Sequence, residues 1–280
     1  MNAAASLLAL ASAVTWGIAD FSGGLASRRL PTIAVTVISQ AAGFAALLVV
    51  LAIAGGGLND RSLWIGVLAG IGGGSGLAAF YKALSLGTMS IVSPVVACGA
   101  VVPFAISIAT GERPRTISAV GAIVALGGAV LASAEERRAE APNRARAVVL
   151  AAAAAVLLGL FTYFLGLGSR EGSALSTLVG ARIGSLSLLV LLALGVRESI
   201  RIPRRWLAPV AAIGLCDVAA NALFALASRH GLLALVSVIG SLYPIATVLL
   251  AHRVLHERLT RPQIAGVAAA LAGIAAVSAG

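Results

Sequence analysis

The chain of 280 residues is 60% hydrophobic and 11% charged, with a mean hydropathy of +1.03 and a formal net charge of +10. Those values exclude a water-soluble globular domain, whose helices would need polar faces. The positive charge does not point to nucleic acid, because the arginines sit in short loops between apolar runs, where a membrane protein carries its orientation signal.

A membrane-crossing helix needs about 20 mostly apolar residues, and on that measure the chain predicts ten. They cover residues 3–25, 32–54, 63–84, 89–109, 116–133, 146–167, 173–196, 206–227, 232–252 and 263–279. The first run has no basic segment ahead of it and is long enough to cross, so it reads as a span and not as a cleavable leader. Short connections carry turn chemistry, as at Arg28-Arg29-Leu30-Pro31, Gly55-Gly56-Gly57 and Arg201-Ile202-Pro203. One connection, 135–145, is longer and strongly charged, from Glu135 through Arg144. It predicts a linker between residues 1–134 and 146–280, each holding five spans. Cys98 and Cys216 both lie within apolar runs, which argues against a disulfide framework or a CxxC metal site.

The two halves repeat one another. Residues 83–93 (ALSLGTMSIVS) align with 227–237 (ASRHGLLALVS) at an offset of 144, and Glu112 and Gly121 match Glu257 and Gly266 at an offset of 145. Each half also has a proline-bearing apolar run that stops on a glutamate. Because five spans is an odd number, the second half enters the membrane from the opposite side and the repeats are inverted. Loops after odd-numbered spans hold 14 of the 20 Lys and Arg residues, and loops after even-numbered spans hold 5. The positive-inside rule places the odd loops in the cytoplasm and both termini outside.

The order of ten spans, Trp16-Gly17 in the first, Ala83-Leu84 before a turn, and apolar runs ending in Glu112 or Glu257 ahead of Gly121 or Gly266 resemble the drug/metabolite transporter superfamily. Each half resembles an EamA domain, and the nearest branch is the ten-helix bacterial exporters of amino acids and related metabolites. The resemblance implies an all-α integral membrane protein of the bacterial inner (plasma) membrane. Its ten transmembrane helices would form two inverted five-helix repeats around a central cavity, lined by helices one to four and six to nine, with five and ten at the periphery. It also implies an inside N-terminus. The charge count opposes that, and no basic residue near the N-terminus enforces it.

Ionisable groups deep in a membrane are costly and so mark function. Arg182 and Asp217 fall near the centres of consecutive spans, where pairing would relieve both. Asp217, Asn221, Phe224 and Ser228 share one face of the eighth span, and Ser12, Trp16 and Asp20 share one face of the first. Gln40 lies at the depth of Arg182 in the other repeat. Tyr81, Tyr163 and Tyr243 carry hydroxyls within apolar runs. These residues, Trp16, Asp20, Gln40, Tyr81, Tyr163, Arg182, Asp217, Asn221 and Tyr243, are the candidate substrate contacts. Pro94, Pro103 and Pro244 are candidate kinks for gating.

Other chemistries fit less well. Gly72-Gly73-Gly74-Ser75-Gly76 lacks the strand and GK[ST] of a phosphate loop, and glycines in a span serve close helix contact. His252, His256 and Glu257 are interleaved with Arg253 and Arg258, which would repel a metal, so no metal or other cofactor is expected. Glu112 and Glu257 are expected to end helices and pair with adjacent arginines. The expected function is a secondary transporter exporting small polar or amphipathic metabolites, amino acids foremost, by alternating access, with the lipid bilayer as its surroundings and no nucleic-acid partner. Coupling to protons would need Asp20 or Asp217, the acidic residues within spans. The alternatives are multidrug efflux of cations, a channel or scaffold, and an integral-membrane enzyme, for which no convergent acid, base and nucleophile can be assembled. Both repeats lie on one chain, which makes a monomeric transporter plausible.

Overall fold

The structure, a computed structural model, describes residues 2–27, 29–55, 57–86, 92, 95–133, 144–196, 199–255 and 260–279. The described residues form α1 (Ala3–Ser27), α2 (Thr32–Ala54), α3 (Asp60–Leu86), α4 (Val101–Ala109), α5 (Thr116–Ser133), α6 (Arg144–Glu171), α7 (Ala174–Val196), α8 (Leu207–His230), α9 (Leu233–Gly240), α10 (Tyr243–Leu255) and α11 (Arg261–Ala279). Most of the 135–145 linker, Pro94, His256 and Glu257 lie outside the described residues.

Instead of ten full-length spans, the described chain has seven helices long and apolar enough to cross a membrane. Three more apolar stretches, Val95–Ala109, Thr116–Ala132 and Leu233–Thr247, are shorter. Two of the three are interrupted, and proline chemistry explains where. Pro244 has no N–H to donate to the carbonyl of Gly240, four residues earlier, so α9 stops there. Turn bonds from Ser241 N to Ser237 O and from Leu242 N to Ile239 O close its end before α10 starts. Pro103 acts likewise on Gly99, and Cys98–Ala100 tighten into a 3₁₀ turn ahead of α4. The simple kink expected at Pro244 is therefore a full break. The two interruptions fall at corresponding places in the two halves.

The largest helix interfaces join one half to the other, and they come in related pairs. Helix α1 packs on α8 and α10, as α6 packs on α3 and α4. Helix α2 packs on α8 as α7 packs on α3. The pairs α2–α7 and α5–α11 join equivalent helices and so lie on the relating axis, while α4 meets α9 of the other half. Glycines set the closest approaches. A Cβ on Gly121 would stand 2.8 Å from the Gly273 carbonyl oxygen, and one on Gly266 would stand 2.7 Å from that of Gly128. The reverse contacts are as tight, at 2.6 Å for Gly273 on Gly121 and 2.7 Å for Gly128 on Gly266. The offsets 266 − 121 and 273 − 128 are both 145, so one contact is made twice about a two-fold axis. With lipid as solvent, hydrophobic burial cannot drive such packing, and backbone contact through small residues takes its place. Outward positions of the α5–α11 pair, such as Ile117, Val120, Ile123, Ile264 and Leu271, are exposed alkyl groups suited to lipid.

Gly70 sits against the Ala181 carbonyl and Gly24 faces open space. Gly70→Leu should cost about 3 kcal/mol or more by wedging α3 off α7. Gly24→Ala should stay within about 0.5 kcal/mol. Thermal unfolding in detergent distinguishes the two.

Candidate functional site

Two equivalent close contacts fix the centre of the molecule. Gly70 meets the carbonyl of Ala181, and Gly214 meets the carbonyl of Ser39. The residue after each carbonyl, Arg182 or Gln40, therefore occupies the same place in its own repeat. The two side chains meet there. Arg182 Nη1 donates to Gln40 Oε1, so this hydrogen bond lies where the axis crosses the α2–α7 seam.

Arg182 is 4% exposed, so its charge must be answered within the protein. Its Nη2 donates to Asp217 Oδ2 at 2.6 Å. Ser185 Oγ, one turn along α7, donates to Gln40 Oε1 at 3.0 Å. Asn221 Nδ2 reaches the same Asp217 oxygen at 3.3 Å, and Gln40 Nε2 lies 3.5 Å from it. The network continues into α1, where Trp16 Nε1 donates to Asn221 Oδ1 at 3.2 Å. The Trp16 and Phe224 rings pack with centroids 5.4 Å apart and planes tilted by 41°, with Gly240 leaving the space beside them. Ser12 Oγ donates to the Ala220 carbonyl at 2.8 Å. The polar rows on α1 and α8 thus face each other across one interface.

All donors to Asp217 converge on Oδ2, its other oxygen receives none among the described residues, and the side chain is 27% exposed. Asp20 lies one turn beyond Trp16, within electrostatic reach of Asp217 and Tyr243. It accepts no hydrogen bond among the described residues. Tyr243 is half-buried at the first position of α10, immediately after the helix break. The cluster sets two carboxyl groups against one guanidinium.

The other candidates stand apart. Tyr163 on α6 packs edge-on to Phe164 at 5.4 Å and takes no part in this cluster. Tyr81 belongs to α3, and its side chain lies outside the described residues. Pro103 lies in α4 and Pro244 in α10, at the interruptions described above. The cluster has no counterpart across the axis. Gly17 on the Tyr243 carbonyl corresponds to Gly159 on that of Gly99, which makes Leu158 the mate of Trp16. Leu77 stands where Asn221 would, and both leucines pack in an apolar cluster. Ser185 was not singled out by the sequence, although its i+3 spacing from Arg182 was a usable signal.

One correction concerns Glu112. It pairs with Arg170, at the end of α6, and not with the adjacent Arg113. It also accepts from the backbone N–H groups of Leu233 and Ala234 at 2.9 and 2.8 Å, capping α9 from another loop. Gly111, at φ +109°, makes the turn that presents it. Nearby, Ser173 N donates to Ser62 Oγ at 3.0 Å, Ser62 Oγ donates to the Gly168 carbonyl at 3.2 Å, and Asn59 N donates to Ser176 Oγ at 2.9 Å. Loops after even-numbered spans are thereby laced together across the halves. The closest lacing partner of Glu112 was invisible locally, because nothing in the sequence distinguishes Arg113 from Arg170 as its partner.

Stripping one partner from the central ion pair should be far worse than removing both. Asp217→Asn strands the more deeply buried Arg182 and should cost about 3–5 kcal/mol. The double variant Arg182→Met, Asp217→Leu should recover most of that stability while abolishing transport. Detergent melting curves read the first effect and proteoliposome flux the second.

The chain matches the model of the EamA-like transporter family twice, over residues 3–134 and 145–279. Matches extend to 27 chains of solved structures. One crystal structure superposes with a TM-score of 0.80 over 99% of both chains at 21% identity, a likeness that speaks for the fold. No curated protein matches. Two copies of the family's unit, covering nearly every residue and related by the contacts above, establish an integral membrane protein with an inverted-repeat architecture, and the chain belongs to the EamA-like transporter family.

Proposed function

We propose that the chain is a ten-span secondary transporter of a bacterial inner membrane, with halves 1–134 and 146–280, that exports small amine-bearing metabolites, amino acids foremost. The observation carrying this reading is Asp20, a carboxylate without a hydrogen bond among the described residues, beside an Asp217 that is already paired with Arg182. An acidic group in excess of the one guanidinium, in a low-dielectric setting, favours an ammonium group or a proton. The Tyr243 hydroxyl and the free oxygen of Asp217 would complete the contacts to a zwitterion. Trp16 and Asn221 hold the Asp217 side in place.

The interfaces suggest which parts move. Rocking one sequence half against the other would separate the largest contacts in the molecule, such as α1 on α8 and α3 on α6. Alternating access is better served by two mixed bodies, one containing α1, α2, α8 and α10 and the other α3, α4, α6 and α7. Their seam would follow the on-axis pair α2–α7. In this reading Glu112 latches the even-loop face shut, and opening that face requires its release.

A second reading, efflux of amphipathic cations, is favoured by the Trp16 and Phe224 rings next to an acidic cluster. Uptake into proteoliposomes, with individual amino acids competing against a labelled mixture, separates the two. Saturable uptake of one amino-acid class supports the first reading, and movement of cationic dyes alone transfers the assignment to the second. Asp20→Asn should lower flux about ten- to a hundredfold while leaving the melting temperature near wild type, as expected for loss of one charge-assisted contact. Glu112→Gln should expose the even-loop face. A cysteine at Ser228, in a background lacking Cys98 and Cys216, should react faster with an impermeant maleimide applied from that side. An unchanged labelling rate would remove the latch.

A further inference from the structure

A second built feature lies at the opposite end of the bundle from Glu112. The turn after α1 and the segment leading into α8 enclose a cleft of roughly 540 Å³ walled by Arg29, Leu30, Pro203, Arg205, Trp206 and Pro209. The two segments are fixed to each other, because Leu30, Ile202 and Trp206 pack over Ala26, Val35 and Val210. Both follow odd-numbered spans, so the cleft lies on the arginine-rich face that the charge asymmetry places in the cytoplasm. The charged residues at 29–31 and 199–206 are Arg29, Arg201, Arg204 and Arg205, with no acid among them. Neither Arg29 nor Arg205 has an ion-pair partner among the described residues.

We propose that this cleft binds the headgroup of an anionic glycerophospholipid. Charge complementarity is the first reason: two unpaired guanidinium groups flank one opening, and phosphate oxygens match their forks. Position is the second, since the cleft stands where two apolar spans end, and the ends of spans meet the headgroups of a bilayer. The third is the rest of the wall. Leu30, the two prolines and the half-buried Trp206 offer an apolar floor for the glycerol and first methylenes, which a free inorganic anion would leave uncovered. A lipid seated there would tie the α1–α2 turn of the first half to the start of α8, the helix that bears Asp217 and Asn221. The proposal is independent of which substrate the central cluster takes.

The test titrates delipidated protein in detergent with phosphatidylglycerol, with phosphatidylcholine of the same acyl chains, and with inorganic phosphate at matched ionic strength, reading melting temperature. Phosphatidylglycerol should raise it saturably while the other two do not. Arg29→Gln combined with Arg205→Gln should weaken the apparent affinity about thirtyfold, the loss expected for two arginines at a lipid surface. Arg201→Gln combined with Arg204→Gln removes the same charge outside the cleft and should leave the titration close to wild type. Equal loss in both double variants would reduce the effect to diffuse attraction and overturn the site. Equal stabilisation by phosphatidylcholine, or by inorganic phosphate, would overturn the lipid assignment. If the first double variant fails to fold, Arg205→Glu alone probes the same contact. Loss of the preference for phosphatidylglycerol in that variant supports the site, and an unchanged preference overturns it.

Discussion

A single guanidinium in the wrong solvent organises the centre of this protein. Arg182 is buried where water is scarce, and an unanswered charge there would cost several kcal/mol. Its two partners come from different helices, Gln40 on α2 and Asp217 on α8. Satisfying it therefore fixes α2, α7 and α8 against each other. Asp217 in turn holds Asn221, Asn221 holds Trp16, and Trp16 sets the face of α1 on which Asp20 lies. The polar cluster is the answer to a desolvation problem, extended outwards until it reaches a carboxylate with no hydrogen bond among the described residues.

The duplicated architecture explains why that answer could be assembled at the axis. In a two-fold arrangement, any residue near the axis meets its own repeat mate. Gln40 and Arg182 are such mates, and they have diverged from equivalence into a complementary donor and acceptor. Divergence continues away from the axis, where Trp16 and Asn221 face Leu158 and Leu77 across it. The backbone contacts stayed symmetric, since Gly121 and Gly266 must each admit a neighbouring carbonyl. Packing kept the two halves alike, and chemistry made them different.

Interleaving has a consequence for motion. Since the tightest interfaces join the halves, the sequence repeat and the mechanical unit are different objects. The interruptions before Pro103 and Pro244 fall just ahead of α4 and α10, and not within the tightly packed α3–α6 and α3–α7 interfaces. The glutamate-capped start of α9 ties the loops together at one face.

Much of this was written in the linear chain. Apolar runs, an odd number of them per half and landmarks spaced by 144 or 145 residues determined the class and the inverted repeat, because the bilayer imposes length and hydrophobicity locally. The i, i+4 rows on two spans marked Trp16, Asp20, Asp217 and Asn221, because helical periodicity alone places them on one face. Tertiary structure decided the rest. That Arg170 and not Arg113 meets Glu112, that Pro244 breaks its helix outright, and that Tyr163 stands away from the polar cluster all depend on which helices touch. So does the meeting of Gln40 with Arg182, which are 142 residues apart. Periodicity tells which side of a helix is polar, but only the packing of the other helices determines what that side faces.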